Sequence, residues 1–333
     1  EIGIGPNLTQ TKIGQINVWF WRTYLMNKLT IVMYHYVRPI IDSKFPGIKG
    51  LELEGFRRQL DYLTERFSIV STEQVVDSCM NGSKLPTNAC WLTFDDGYKD
   101  HYNFVLPELL SRKLHGAFFP PRIAIEEDVV LDVNSIHHIL SCTSDIKNLV
   151  YDLNMCCRMD GISDEEISSF YEQFAVADRF DNADTIYIKR MLQHVLPEGL
   201  RNSITAKLFH DFVGVSAEDF SQELYMSVDE VSSLVKSGMY VGSHGSMHYW
   251  LDKISSEDQE TDIQSSLGFL EHVGAATDNW VMCYPYGSYN DATLKLLRKY
   301  KASVGITTEV RVADISSDNQ FTLPRLDTND FPK

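Results

Sequence analysis

The chain has 333 residues, with 46 Asp and Glu residues against 30 Lys and Arg residues, which gives a formal net charge of −16 at pH 7. This balance argues against a nucleic-acid-binding protein, because a sequence-independent grip on phosphates needs clustered Lys and Arg. With 44% hydrophobic and 23% charged residues, the composition excludes a disordered or collagen-like chain, and the length predicts about two domains or one large α/β barrel with insertions.

No segment has the roughly 20 consecutive apolar residues of a membrane helix, so we expect no membrane span. No secretory signal pattern precedes the first strand-like segment. The six cysteines lack zinc-ribbon spacing and are typical of reduced thiols in a protein core. We therefore expect a cytoplasmic protein.

Residues 1–25 precede the first strand-like run of the sequence. Met26 directly precedes a strand-like run, which is typical of a natural start. We expect residues 1–25 to be a leader or an expression remnant. An amphipathic surface anchor is the alternative.

From residue 26 to residue 125, short apolar runs alternate with helical patterns, as expected for β/α units. The predicted elements are strands at 29–34, 90–94 and 117–119 and helices at 53–67 and 101–113. A prediction of barrel or doubly wound α/β architecture follows from this alternation.

Residues 126–236 show helical spacing and few strand signals. Between residues 126 and 240 there are 21 Asp and Glu residues and 8 Lys and Arg residues, so this stretch carries −13 of the total −16. A structureless loop of this length would be improbable inside a domain, and we predict an acidic helical insertion. If it overhangs the active site, its charge is expected to repel polyanionic polymers.

The β/α pattern resumes toward the C-terminus, and we assign residues 237–333 to a second part of the same barrel. A helix is predicted near 227–237 at the junction. Strands at 239–241 and 280–283 and helices at 256–272 and 290–299 follow it.

Two adjacent carboxylates, Asp95 and Asp96, follow a predicted strand and precede Gly97. Neighbouring carboxylates repel and are costly to keep ionised unless a cation lies nearby. The pair can therefore share one site with different roles, although an ordinary Asp-Asp-Gly turn is the alternative.

A second motif, His244-x-x-x-His248, also follows a predicted strand. This spacing predicts two imidazoles on one face of a helical turn, where both can bind one metal ion. Two imidazoles and one carboxylate suit Zn²⁺ with an open position for water, and also accept Co²⁺ or Ni²⁺.

A third motif, Tyr284-Pro285-Tyr286-Gly287, follows another predicted strand. It predicts a rigid turn with aromatic walls that could hold a sugar ring. Because active sites of α/β barrels lie at the carboxyl ends of the strands, the three motifs are expected to meet there.

Together these motifs resemble those of the polysaccharide deacetylases, carbohydrate esterase family 4, also called the NodB-homology domain. The resemblance covers about residues 29–121 and 227–327, in the order of the family motifs. It implies a distorted (β/α) barrel that hydrolyses N-acetyl or O-acetyl groups on carbohydrates with a divalent metal, usually zinc.

Carried over to this sequence, the resemblance implies that Asp95 is the general base. It implies that Asp96, His244 and His248 are the metal ligands and that Tyr286 supplies a backbone amide to the oxyanion. Such a site would combine a metal, a base and an oxyanion donor.

The sequence departs from the family at two catalytic positions. Cys283 stands where many members have an Arg that orients the base, and Arg325 is the predicted substitute, with a surface ion pair as the alternative. The late Leu-x-His of the family is missing. His35, in an early Tyr-His motif that resembles rearranged members such as the biofilm poly-N-acetylglucosamine deacetylases, is therefore the candidate general acid.

We predict that Tyr98, Trp250, Tyr284 and Pro285 line the sugar pocket. The predicted function is a metal-dependent deacetylase of an amino sugar, with a small nucleotide- or lipid-linked sugar favoured. A polymer deacetylase, an O-acetyl esterase or deformylase, and a vestigial carbohydrate-binding protein are the alternatives. The oligomeric state is left open.

Overall fold

The computed structural model describes residues 28–333, and the predicted leader at residues 1–25 lies outside this range. Its sheets contain eleven short strands. These are β1 (Lys28–Tyr34), β2 (Val37–Arg38), β3 (Leu51–Glu52), β4 (Ser68–Ile69), β5 (Ala89–Asp95), β6 (Ala117–Phe119), β7 (Tyr240–Val241), β8 (Val281–Cys283), β9 (Val304–Ile306), β10 (Ala313–Asp314) and β11 (Leu326–Asp327).

Parallel pairing closes most of these strands into a ring. Strand β1 pairs with β5, β5 with β6, and β6 with β7. A parallel bridge between Ser243 and Met282 leads to β8, which pairs with β9. A second bridge between Ile306 and Leu323 leads to β11, which pairs with β1. Single bridges at two joints distort the ring, and the predicted distorted (β/α) barrel is confirmed.

Helices surround the ring and fill the segment between its two halves. They are α1 (Leu53–Arg66), α2 (Thr72–Asn81), α3 (Leu106–Arg112), α4 (Arg122–Glu126), α5 (Asp132–Cys142), α6 (Ile146–Met159), α7 (Asp164–Phe174), α8 (Ala183–Arg190), α9 (Glu198–Val213), α10 (Ala217–Leu224), α11 (Val228–Lys236), α12 (Ser256–His272) and α13 (Asp291–Lys299). A π-helical turn (His101–Val105) precedes α3.

Alternate residues of the ring strands pack together inside the barrel. On β5, Ala89 and Trp91 belong to this inner apolar cluster, with residues of β1, β6, β8 and β9. Because successive side chains of a strand point to opposite faces, Thr93 and Asp95 continue the same inward row. The inner row therefore changes from apolar to polar toward the carboxyl end of β5.

The segment 126–236 is helical in the structure and contains α5 to α11. It shares one hydrophobic cluster with the outer face of the barrel, which joins Phe94 and Phe118 to Leu192, Phe209 and Phe220. The segment thus packs on the barrel as part of a common core. Its exact boundaries at 126 and 236 stay a prediction.

Among the described residues, no helix has both the length and the apolar character needed to cross a membrane.

Candidate active site

Asp95 ends β5 inside the barrel and faces Arg325, just before β11. Nη1 of Arg325 donates to Oδ1 of Asp95 at 2.9 Å, and Nη2 lies 2.7 Å from Oδ2. Both residues are 1% exposed. Burial alone would raise the pKa of Asp95, but the facing guanidinium outweighs it and lowers the pKa to about 2. Asp95 is therefore ionised at neutral pH.

Arg325 is also held by the barrel itself. Its Nε donates to the carbonyl of Thr307 at 2.8 Å, and Nη1 donates to Oγ1 of Thr93 at 3.1 Å. Arg325 lies inside the barrel, and the surface ion pair considered from the sequence is wrong. The predicted contact between Arg325 and Asp95 is present.

Asp96, His244 and His248 form a buried cluster beside this pair. Oδ1 of Asp96 lies 3.3 Å from Nε2 of His244 and 3.4 Å from Nε2 of His248. Burial would raise the pKa of Asp96, but the two imidazoles outweigh it and hold the pKa well below its usual value.

The cluster fits a tetrahedral metal ion. Zinc bonds of about 2.0–2.1 Å would separate two tetrahedral ligand atoms by about 3.3–3.4 Å. Nδ1 of His244 faces the carbonyl of Cys283 at 2.7 Å, which leaves Nε2 for a metal. Two nitrogens and one carboxylate oxygen match the donor set of a catalytic zinc site.

Asp95, His244 and Cys283 also bring possible ligand atoms within 4.8 Å of one another. Both oxygens of Asp95 are already engaged by Arg325, and burial raises the pKa of the Cys283 thiol. A neutral thiol is a poor metal ligand. We therefore assign the metal site to Asp96, His244 and His248.

The predicted helical turn at the histidine motif is wrong. Residues 243–250 form a loop, in which Gly245 has φ 71° and His248 has φ 57°. The carboxylate of Asp262 accepts hydrogen bonds from the N–H groups of Ser246 and Met247 at 2.9 and 2.8 Å. These bonds replace the helical ones and fold the loop so that both imidazoles face Asp96.

His35 lies across from Asp95. Its Nε2 is 4.0 Å from Oδ2 of Asp95, and its side chain is 39% exposed. The backbone carbonyl of His35 is hydrogen-bonded by Nε2 of His101 at 2.9 Å. His35 thus lies near Asp95 and is also open to solvent.

Tyr286 and Trp250 lie together on the other side of the cluster. Their rings stack at 4.3 Å with an angle of 7°, and the Tyr286 ring lies 4.8 Å from that of His248. The backbone of Tyr286 is left-handed, with φ 58°. Both rings line a cavity of about 840 Å³ together with His248, so the prediction for Trp250 agrees with its position.

The other three residues predicted to line the sugar pocket are buried. Tyr98 is 0% exposed, and its hydroxyl donates to Oδ2 of Asp96 at 2.5 Å. Tyr284 is also 0% exposed and donates to the carbonyl of Phe321 at 2.7 Å, and Pro285 is buried in the turn. These three residues pack behind the site as supporting residues. The sequence pattern did not indicate this position.

A second cavity of about 890 Å³ lies on the side of His35 and is lined by Tyr36, His137 and Lys189 among others. The segment 126–236 contributes to both cavities, through Asp132 and Arg201 in the first and His137 and Lys189 in the second. Sequence analysis missed Asp132 and Arg201, because neither belongs to a motif.

Comparisons with known proteins concern the family and the fold. The sequence profile of the family described as polysaccharide deacetylase matches residues 189–305. That match begins inside the segment predicted as an insertion. A search of curated protein sequences found no match.

Several solved structures share the fold. The Streptococcus pyogenes deacetylase PplD, solved with acetate, is 17% identical with a TM-score of 0.54, and the match covers 90% of this chain and 92% of that one. IcaB from Ammonifex degensii is 18% identical with a TM-score of 0.55, over 90% and 91% of the two chains. The BpsB deacetylase domain from Bordetella bronchiseptica is 14% identical with a TM-score of 0.51, over 90% and 96%.

The similarity to these structures concerns the fold, and the profile match concerns residues 189–305. The three sequence motifs of the chain meet at one end of the barrel, where Asp95, Asp96, His244 and His248 lie together. Residues 189–305 therefore match the polysaccharide deacetylase family, and the chain has the fold of the solved deacetylases.

Proposed function

We propose that this protein is a metal-dependent deacetylase that removes the N-acetyl group from a small nucleotide- or lipid-linked amino sugar in surface-polysaccharide biosynthesis. The observation that carries the chemistry is the buried Asp95–Arg325 pair beside the cluster of Asp96, His244 and His248.

Asp95 acts as the general base. Its carboxylate accepts a proton from the attacking water, and Arg325 keeps it ionised and fixed in direction. The position inside the barrel excludes bulk water from the side of the guanidinium. A base of this kind contributes about 10²- to 10⁴-fold to the rate.

His35 acts as the general acid. Hydrolysis of an amide needs a proton on the leaving nitrogen, and imidazole supplies one near neutral pH. With Nε2 at 4.0 Å from Oδ2 of Asp95, His35 borders the space in which the scissile bond must lie. Asp95 and His35 thus handle the two proton transfers.

Asp96, His244 and His248 would hold a divalent metal, for which we propose Zn²⁺, with Co²⁺ or Ni²⁺ as substitutes. When bound, the metal polarises the acyl oxygen and the attacking water. Tyr286, whose left-handed turn lies beside His248, would supply a backbone amide to the charge that develops on the acyl oxygen. The stacked rings of Trp250 and Tyr286 offer an apolar face to the sugar.

The preference for a small substrate rests on the walls of the two cavities. The helical segment 126–236 contributes residues to both, and its residues 175–182, which we call the strap, border the cavity of His35. Such covering limits how much carbohydrate can approach the reacting bond. We also propose a cytoplasmic location, supported by the six free cysteines of the chain.

The test is release of acetate by purified, zinc-loaded protein. We expect release from small N-acetylated amino sugars, including nucleotide-linked ones. Release from chitin, xylan or peptidoglycan alone would contradict the small-substrate part. Release from O-acetylated sugars alone would make the enzyme an esterase.

The Asp95→Asn variant tests the assignment of the base. It should retain metal binding and lose turnover by at least about 10²-fold. Metal content is measured together with acetate release. Near-normal activity in this variant would refute the role of Asp95, whatever the substrate.

A polymer deacetylase is the second candidate function. The observation in its favour is the pair of cavities, of about 840 and 890 Å³, one bordered by His248 and the other by His35. Each has the size of a site for a drug-sized ligand, so an oligosaccharide could occupy both. Rates on amino-sugar oligomers of increasing length decide between the two candidates.

A further inference from the structure

A chain of buried hydrogen bonds leads from the helical segment to Asp96. The N–H of Leu131 donates to the hydroxyl of Tyr225 at 3.0 Å, and that hydroxyl donates to Oδ1 of Asn134 at 2.5 Å. Nδ2 of Asn134 donates to the hydroxyl of Tyr98 at 2.6 Å. The hydroxyl of Tyr98 then donates to Oδ2 of Asp96 at 2.5 Å.

All hydrogen bonds in this series are donated in the same direction, toward Asp96. Each group accepts one hydrogen bond from the group before it and donates one to the group after it, and the last acceptor is a carboxylate. Hydrogen bonds in such a series strengthen one another, above all where water is excluded. Tyr98, Asn134 and Tyr225 are 0%, 0% and 2% exposed.

The two carboxylate oxygens of Asp96 have different partners. Oδ2 is taken by Tyr98, while Oδ1 faces Nε2 of His244 and of His248 at 3.3 and 3.4 Å. A carboxylate held in this way presents one oxygen in a fixed direction. The hydrogen bond also stabilises the ionised form, which a metal ligand requires.

Backbone contacts also hold the turn that contains Tyr98 against the residues around Tyr225. Tyr98 and Tyr225 form an antiparallel bridge, and the N–H of Met226 donates to the carbonyl of Gly97 at 3.0 Å. The ring of Tyr98 stacks between those of Tyr36, at 4.1 Å, and Tyr225, at 6.1 Å. Tyr98 therefore has little freedom to turn away from Asp96.

We propose that Tyr98, Asn134 and Tyr225 are positioning residues that orient Asp96 for metal binding, so that the helical segment contributes directly to metal affinity. This inference rests on the metal site of the proposed function. Asn134 lies on α5 and Tyr225 directly follows α10, and both belong to the segment 126–236. The barrel alone would supply only Tyr98.

The test is the dissociation constant for Zn²⁺, measured by competition with a chelator. Tyr98→Phe keeps the ring and removes the last donor, and we expect metal binding to weaken about 10- to 100-fold. Tyr225→Phe breaks the chain two bonds earlier, and we expect a smaller loss, of at most about 10-fold.

Tyr187→Phe is the matched control. It removes another tyrosine–asparagine hydrogen bond of the same segment, from Tyr187 to Asn154 at 2.8 Å, which does not connect to Asp96. We expect an unchanged dissociation constant in this variant. Thermal unfolding of the metal-free proteins shows whether each variant is folded.

A folded Tyr98→Phe protein that binds zinc as tightly as the wild type would overturn the inference. Equal losses in Tyr98→Phe and Tyr187→Phe would also overturn it, because they would point to a general structural effect. Failure of the proposed metal site is distinguishable, since the wild type itself would then bind no zinc.

Discussion

Three residues of the candidate site have left-handed backbone conformations that non-glycine residues rarely adopt. Asp96, His248 and Tyr286 have φ values of 70°, 57° and 58°. Such conformations cost of order 1–3 kcal/mol and persist where the surrounding structure enforces them. Here the enforcing contacts are the bond from Tyr98 to Asp96 and the bonds from the histidine loop to Asp262.

Arg325 is the residue whose replacement tests the preorganised base. In Arg325→Met, Asp95 would become an uncompensated buried charge, which costs about 3–5 kcal/mol, and it would lose its orientation. We expect kcat to fall at least about 10²-fold and the protein to be less stable to urea. Acetate release and urea unfolding measure the two effects.

Arg325→Lys is the control, because it keeps the positive charge and loses the paired contact with Asp95. We expect its stability to lie between those of the wild type and Arg325→Met. Wild-type activity in folded Arg325→Met would show that Asp95 does not depend on this contact.

The sequence predicted which residue types form the site, since Asp95, Asp96, His244 and His248 follow strands in recognisable motifs. The contact between Arg325 and Asp95 followed only from the resemblance to the family. The two residues are 230 positions apart, and nothing local in the sequence indicates their pairing. Tyr98 was predicted to line a pocket, because a sequence does not show whether an aromatic ring beside a ligand faces outward or inward.

At the scale of elements, the strap joins the helical segment to the barrel through ion pairs. Lys49 and Lys189 each place Nζ at 2.6 Å from the carboxylate of Asp181, and Arg179 donates to Asp330 at 2.7 Å. The side chain of Asp181 is 5% exposed. Its position fixes the strap along the border of the cavity of His35.

The charge of Asp181 makes a pH-dependent contribution to stability. Burial would raise its pKa, but Lys189 and Lys49 outweigh it and lower the pKa below the usual value. A lowered pKa gives stability that is fully present above the unfolded-state pKa of about 3.9 and is lost as the pH falls through the folded-state value. We expect Asp181→Asn to lose roughly 1–3 kcal/mol at pH 7.

Urea unfolding at several pH values measures this loss, and the difference from the wild type should shrink as the pH falls from 7 toward 3. Asp211→Asn is the control, since Asp211 forms an exposed pair with Lys207 worth less than about 1 kcal/mol. A pH-independent difference would assign the effect of Asp181→Asn to packing.

Most elements of the barrel were predictable, because hydrophobic periodicity sets them locally. The helix predicted at 256–272 coincides with α12 (Ser256–His272), and the strand predicted at 29–34 with most of β1. The histidine motif was an exception. Its helical spacing was overridden by the carboxylate of Asp262, which accepts hydrogen bonds from the N–H groups of Ser246 and Met247, 16 and 15 positions earlier in the chain.

At the scale of the whole molecule, the negative charge is distributed differently from the expectation. The cavity beside His248 is lined by four carboxylates and three Lys or Arg side chains, and the cavity beside His35 by three of each. The excess of −13 between residues 126 and 240 therefore lies mainly elsewhere. The lining of the cavities gives no support to the predicted repulsion of polyanionic polymers.

Metal binding is expected to stabilise the entire fold, because its ligands come from both halves of the barrel. A ligand at 100 times its dissociation constant adds about 2.7 kcal/mol, which corresponds to roughly 4 °C in Tm for a protein of this size. We expect zinc to raise the Tm of the metal-free protein by this amount, as measured by calorimetry.

His248→Gln should abolish the increase in Tm, and the exposed His272→Gln should retain it. An equal increase in both variants would place the stabilising zinc outside the assigned site.

The shared hydrophobic cluster of barrel and helical segment has a consequence for engineering. A designer who shortened the enzyme to its barrel would expose Phe94 and Phe118, which now pack in one cluster with Phe209 and Phe220. Such a trimmed protein is expected to aggregate rather than to become a smaller catalyst. For protein engineering, the barrel and its acidic helices are one inseparable unit, and useful variation belongs in side chains that line the cavities.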